Sequence, residues 1–342
     1  MLLGEIPSFE QVKEIGEEWK KRAVVPQHVY KVLDAMPKES VPMADFSVGI
    51  LALATESKFL KAYNSGVGKK DYWDSTYEDV MNFLAQLPVI ASYIYRKHYF
   101  GGKVIAADPK LDWSANLAHM MGHDDPEIYK LFRLYLTIHA DHEGGNVSAH
   151  TTHLVASALS NPYYSYSAGM LGLAGPLHGY ANQEVIAWVQ AMIKELGTNT
   201  PSKQQIHDFC EKTIAAGRVI PGYGHAVLRK TDPRFIAQQE FAAKYCKGDT
   251  FIQIINDLYE VVPPILGSIG KIKNPWPNVD AYSGSLMMHY KITEKDFYTV
   301  LFGVSRALGV LASLLWDRAI GLQIERPSSY TLEWFKEKAG IK

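Results

Sequence analysis

Apolar residues in this chain recur mostly at three- and four-residue intervals, which is the period of helices buried on one side. The clearest case is HGYANQEVIAWVQAMIKELG. There Val185, Trp188, Val189, Met192, Ile193 and Leu196 fall at i, i+3, i+4, i+7, i+8 and i+11. All six share one helix face, and Gly197 supplies a stop. Start signals are equally local. Ser8-Phe9-Glu10-Gln11 reads as a capping box opening a helix that runs to about Arg22. Ser202-x-x-Gln205 opens another, which Gly217 ends, and Thr293-x-x-Asp296 is expected to open a third. Strand-like alternation is scarce. No internal repeat, low-complexity linker or long Pro/Gly hinge marks a boundary. The pattern predicts an all-α protein of two domains with interleaved helices.

The most apolar run, residues 300–316, carries Arg306 at its centre and is followed directly by Asp317 and Arg318. A bilayer would charge roughly 2.5–3.5 kcal/mol for that arginine. A helix buried inside a soluble protein is the better reading, and it puts a cation in the interior. Composition agrees: 342 residues, 47% hydrophobic and 21% charged, are enough for a large core and two domains. A formal net charge of −1 leaves no broad basic surface for nucleic acid or anionic lipid. Anionic ligands must therefore be held by a few placed arginines and lysines. Two cysteines, Cys210 and Cys246, cannot build a disulfide framework and read as quiet residues of a reducing compartment. The opening MLLGEIPSFEQ is neither a secretory signal nor a convincing mitochondrial presequence, since Glu5 and Glu10 come early.

Five segments depart from helical regularity. IHADHEGGNVSAHTTH holds His139, His142, His150 and His153, but it lacks the spacing of zinc hydrolases and a Gly-Gly pair splits it. Core or capping roles outweigh a metal site there. In GLAGPLHGYANQE, His178 stands at a helix start, where the dipole disfavours imidazolium and a neutral ring can donate to a developing enolate oxygen. A packed interhelix histidine explains that segment equally well. In RVIPGYGHAVLRKTDPR, the loop Pro221–Gly224 offers backbone N–H groups at close approach and His225 ends it. A plain surface turn fits the loop better on local grounds. Asp232-Pro233 reads as a cap followed by proline at the first helical position, which places Arg234 in the first turn. KNPWPNVDAYSG sets Asp280 between Val279 and Ala281, as a general base of raised pKa or simply as a helix cap. Finally, Arg306 and Arg326 of IERPSS each need a carboxylate partner, from a ligand or from within the chain.

Together these give two histidines, one carboxylate and several arginines, which suits proton transfer plus recognition of a dianionic small molecule. The segments DHEGGNVSAHTTHLVASALSNP, GLAGPLHGYANQE, VIPGYGHAVLRKTDPR, KNPWPNVDAYSG, VLFGVSRALGV and ERPSS resemble, in order, those of eukaryotic-type citrate synthases, and the similarity spans about residues 5–330. The resemblance implies condensation of acetyl-CoA with oxaloacetate and water. Asp280 is then the base that removes a methyl proton, His178 stabilises the enolate, and His225 donates to the ketone oxygen before citryl-CoA hydrolyses. Oxaloacetate is held by His142, Arg234 and Arg306, with Arg326 reaching in from the other subunit of a homodimer. Val219, Pro221, Gly222, Tyr223 and Gly224 match the segment lying along CoA, and Arg229 and Lys69 match basic positions near its phosphates. No metal or other cofactor is implied.

The same resemblance implies a large helical domain, residues 1–178 and 291–342, and a smaller mobile one, residues 179–290, inserted in it and closing over substrate. It also implies the mitochondrial matrix. Two departures stand out. The family pattern starts earlier, with a segment wrapping the partner subunit that has no counterpart here, so a fragment, a truncated gene model or a shortened isoform is expected. Tyr282 stands where animal enzymes commonly have histidine, and tuning of activity is expected there. Two other readings compete: 2-methylcitrate synthesis from propionyl-CoA, separated by one methylene in the pocket, and a structural or filament protein that keeps the fold.

Overall fold

A computed structural model describes the whole chain except residues 1, 3, 226, 271 and 342. Among the described residues there are sixteen α-helices and no strand; the one β-type contact is an isolated antiparallel bridge between Tyr223 and Pro277. Helices α1 (Phe9–Arg22), α2 (Gln27–Ala35), α3 (Pro42–Leu53) and α4 (Lys58–Asn64) lead into the 28-residue α5 (Tyr72–Tyr99). Then come α6 (Trp113–Met121), α7 (Pro126–Ile138), α8 (Val147–Ser157) and α9 (Pro162–Leu173). A second group follows: α10 (Ala181–Leu196), α11 (Lys203–Ala215), α12 (Pro233–Tyr245), α13 (Thr250–Ser268) and α14 (Asp280–His289). The chain closes with α15 (Tyr298–Ile320) and α16 (Leu332–Ala339).

Local sequence chemistry accounts for most of these ends. Ser8 and Ser202 form complete capping boxes with Gln11 and Gln205. Asp232 accepts from the Arg234 N–H with Pro233 in the first helical position. Gly197 ends α10 in the left-handed conformation. On the α10 stripe Val185, Val189 and Met192 are buried, while Trp188, Ile193 and Leu196 pack against the core from its edge. One expectation fails. Thr293 caps nothing; a 3₁₀ turn at Lys295–Phe297 leads into α15, whose N-cap, Phe297, has no side-chain bond. The Lys295 N–H goes to the Thr293 carbonyl instead, so tertiary packing sets this start.

Helix α15 packs against α3, α5, α7, α8 and α9, and 83% of its most apolar stretch is buried inside the molecule. Helices α10 to α14 pack mainly on one another, with α14 touching α10, α12 and α13. The groups meet where α10 touches α15 and α12 touches α7. Gly309 makes one approach possible: its N–H reaches the Ala140 carbonyl at 3.1 Å, and a Cβ there would lie 2.6 Å from that oxygen. α15 therefore lies flush on the turn after α7, which brings Arg306 to the histidine-rich segment. Cys210 and Cys246 are buried and unbonded, and burial pushes their thiols up to about 12 and about 11.

Candidate active site

Four loops and helix ends enclose a cleft of about 360 Å³ lined by His142, His178, His225, Arg234, Asp280 and Arg306, among others. The sequence places these six up to 164 positions apart, between 142 and 306. Backbone pairing brings two of the loops together. Asn278 donates from its backbone to the Gly222 carbonyl (2.9 Å) and from its side chain to the Gly224 carbonyl (3.0 Å), and the Gly224 N–H reaches the Trp276 carbonyl. Gly222 (φ +80°) and Gly224 (φ +89°) are left-handed, and a Cβ on Gly222 would sit 2.8 Å from the Ala281 backbone. Only glycine lets the Pro221–Gly224 loop lie this close to the start of α14. His225 and Asp280 thus line the same cleft.

Asp280 is the first residue of α14 but caps nothing; the cap position is Val279, and it has no side-chain bond. The simple capping reading is therefore wrong. Its Oδ1 is sealed from solvent without a hydrogen-bond partner. Burial pushes the carboxyl up to about 7, with Arg234 and Arg306 pulling against that and Asp232 adding to it. A carboxyl poised near neutrality and lacking a structural bond suits a general base.

Hydrogen bonds fix the histidine tautomers. Nδ1 of His225 accepts the Val227 and Leu228 N–H groups, both at 3.0 Å, so its proton is on Nε2. That Nε2 lies 3.1 Å from Nε2 of His142, which must then accept. Nε2 of His178 accepts the Ser148 N–H at 3.3 Å and lies 2.8 Å from the Ser148 hydroxyl, leaving Nδ1 as its donor. Burial lowers all three rings, His142 and His178 to about 4, and nearby arginines add to the effect. His178 is thus neutral, as anticipated, but by another route. It sits three residues ahead of α10, and the helix end that meets it is the N-terminus of α8.

The arginines differ. Arg234 grips Asp232 through Nε and Nη2 (2.7–3.1 Å), which keeps that carboxylate ionised despite its burial and leaves Nη1 over. Arg306 is 1% exposed and has no carboxylate partner among the described residues. Its Nε reaches the His139 carbonyl, its Nη1 reaches Asn146, and its guanidinium lies 4.7 Å above the Phe302 ring. A buried cation held only by neutral groups is a ready receptor for a ligand carboxylate.

Other expected residues lie off the cleft. Pro221, Gly222 and Tyr223 run along the paired loop, while Val219 is 81% exposed and Arg229 is exposed beside them. Lys69 is exposed with its ammonium end beside Gly321, and Arg326 is exposed on the extended segment after α15. Tyr282 points into the α12–α13 packing, bonding Asn256 and meeting Phe235 edge-on. The four histidines of the first segment do not converge. His139 stacks on Tyr135 at 4.1 Å in the core, and His150 and His153 face carboxylates of the α15 end and the segment beyond. Ser148, Asn146, Asn278 and Phe302 were not singled out from sequence. Asn146, at a helix start after Gly-Gly, and Phe302, one turn before Arg306, carried the only available signals.

The family model "Citrate synthase, C-terminal domain" matches residues 1–328. Mitochondrial citrate synthase of Daucus carota is 55% identical over 336 residues, covering 98% of this chain and 71% of the relative. A probable mitochondrial citrate synthase of Glossina morsitans morsitans is 57% identical, covering 97% and 72%. Among solved structures, citrate synthase from Pyrobaculum aerophilum superposes with a TM-score of 0.82 at 26% identity, over 97% of this chain and 80% of that one. The same fold recurs in the Thermoplasma acidophilum citrate synthase solved with carboxymethyl coenzyme A and oxaloacetate, with a TM-score of 0.80 at 21% identity, covering 96% and 83%. By sequence and by fold, the chain belongs to the citrate synthase family and is an all-α acyltransferase of the citrate (Si)-synthase type.

Proposed function

We propose that this cleft joins acetyl-CoA to oxaloacetate with Asp280, His178 and His225 as the catalytic groups. A thioester α-proton is too weakly acidic for a carboxylate acting alone, so a donor must meet the enolate oxygen as it forms. Asp280 takes the methyl proton while Nδ1–H of neutral His178 donates to the thioester oxygen. The resulting carbon nucleophile attacks the ketone of oxaloacetate, and Nε2–H of His225 donates to its oxygen. Water then cleaves the citryl thioester, giving citrate and the free CoA thiol. These side chains supply all the acid–base chemistry, so no metal or organic cofactor is called for.

Oxaloacetate carboxylates go to Arg306 and to the Nη1 left over on Arg234, with His142 beside them. Arg326 comes from the second subunit of a homodimer. CoA lies along Val219–Gly224, with Arg229 and Lys69 near its phosphates. Residues 179–290 form the smaller domain and close over residues 1–178 and 291–342, expelling water from the enolate. The curated relatives are mitochondrial proteins, and the matrix is the compartment we assign. One observation carries the reading: an unpartnered carboxyl near neutrality shares a cleft with a neutral histidine and a buried arginine lacking a carboxylate. Protein mixed with oxaloacetate and acetyl-CoA should release free thiol; no release overturns the proposal. Faster release with propionyl-CoA would transfer it to methylcitrate formation.

A further inference from the structure

Gln238 stands one turn after Arg234 on α12, is 1% exposed, and carries its amide into the packing between α12 and α14. Its Nε2 donates to the Arg234 carbonyl at 3.2 Å and to the Val279 carbonyl at 3.1 Å. Both partners are acceptors, so the nitrogen and not the oxygen must face them. The oxygen, Oε1, is sealed from solvent without a partner among the described residues. A buried carbonyl left unmet destabilises the fold, and an apolar side chain of the same length would avoid that. Packing alone therefore does not call for an amide at this position. What the amide holds is a single peptide group. The Val279 carbonyl also accepts from the Ser283 hydroxyl at 3.1 Å, and the Asp280 N–H of the same plane reaches Oδ1 of Asn278 at 3.0 Å. α12 touches Val279 a second time, through Oδ2 of Asp232, which accepts the Val279 N–H at 3.2 Å. No hydrogen bond to Oδ1 of Asp280 aims its carboxyl. The direction in which that side chain leaves the backbone is set by this peptide.

We propose that Gln238 is a positioning residue for proton abstraction: its amide, gripping the Val279 carbonyl from α12, fixes the peptide plane from which Asp280 reaches the cleft. This rests on the reading of Asp280 as the base. The same nitrogen holds the Arg234 carbonyl, so the base and an arginine of the cleft share one tie. Alignment of this kind matters to rate, since a misplacement of about 1 Å can cost on the order of 100-fold.

The test is steady-state kinetics of the whole chain as Gln238→Met, which keeps the length of the side chain but offers neither the donor nor the carbonyl. Its kcat should fall about 10- to 100-fold while KM for oxaloacetate stays within about twofold. With acetyl-CoA deuterated on the methyl group, the primary isotope effect on turnover should grow, because abstraction becomes slower relative to the steps after it. A merely structural side chain would not move that ratio. The urea midpoint should match or exceed the wild type, since the unmet Oε1 is gone and the Val279 carbonyl keeps Ser283. A wild-type kcat and isotope effect in Gln238→Met would overturn the proposal. So would slower turnover with an unchanged isotope effect, or a loss expressed only as a raised oxaloacetate KM, which would put the role on Arg234. Asp280→Asn is the control. If it turns over normally, the reading of Asp280 fails and this inference falls with it; an inactive Asp280→Asn beside a normal Gln238→Met sinks this inference alone. Should Gln238→Met not fold, Gln238→Leu is read by the same criteria.

Discussion

Asp280 has a sealed oxygen with no partner, and that single fact governs both its chemistry and its energetics. With the carboxyl pushed up to about 7, the base is protonated below neutrality. Turnover should therefore rise with pH through the neutral range and level off above it. Asp280→Asn should lower kcat by about 10²–10⁴ and abolish that inflection; a variant that turns over normally rejects the assignment. Stability moves the opposite way. The folded pKa lies above the unfolded value of about 3.9. Between the two, the folded state binds more protons, so stability falls as pH rises from about 4 to about 7, by on the order of 4 kcal/mol. Asp280→Asn escapes this loss. Its denaturation midpoint should exceed the wild type at pH 8 and converge with it near pH 4, and equal midpoints at pH 8 would contradict the burial argument. For Arg306, lysine keeps the charge but not the fork, so Arg306→Lys should raise KM for oxaloacetate about 100-fold. An unchanged KM would remove Arg306 from the binding site. The sequence revealed a cation inside an apolar run, but not that its neighbours are a carbonyl, an amide and a ring. That depends on which distant turn the helix meets.

At the scale of elements, the pairing of residues 222–224 with 276–278 matters most, because it holds the His225 loop and the start of α14 at the same cleft. Gly222→Ala puts a methyl 2.8 Å from the Ala281 backbone at a positive φ. Overpacking and the left-handed penalty together should cost about 2–4 kcal/mol in urea denaturation. Turnover should fall as well, because the loops part. A loss under 0.5 kcal/mol would show that the loops yield easily. Signals confined to four residues, such as the boxes at Ser8 and Ser202 and the Asp232-Pro233 start, were legible in the sequence because their partners are in the next turn. Thr293 had the same pattern and misled, since packing starts α15 one turn later. The Ser148 N–H that fixes His178 lies 30 positions away on another helix. No local pattern encodes such a contact.

For the whole molecule, helices α10–α14 pack chiefly on each other, and the cleft opens between them and the α7–α8 turn, the start of α8 and α15. Closure of this group over substrate should shrink the radius of gyration in X-ray scattering when oxaloacetate is added, and an unchanged profile would argue against a moving domain. The all-α class was readable from periodicity, whereas the division into 1–178, 179–290 and 291–342 came only through family resemblance. An inserted domain, as proposed here, would leave no linear boundary in composition. The two thiols have a practical consequence for anyone assaying this protein. Cys210 and Cys246 are buried, and thiolate, the form that reacts, is withheld at neutral pH. A colorimetric sulfhydryl reagent added to the folded protein should thus stay colourless until coenzyme is liberated, so the reaction can be followed continuously against a flat blank.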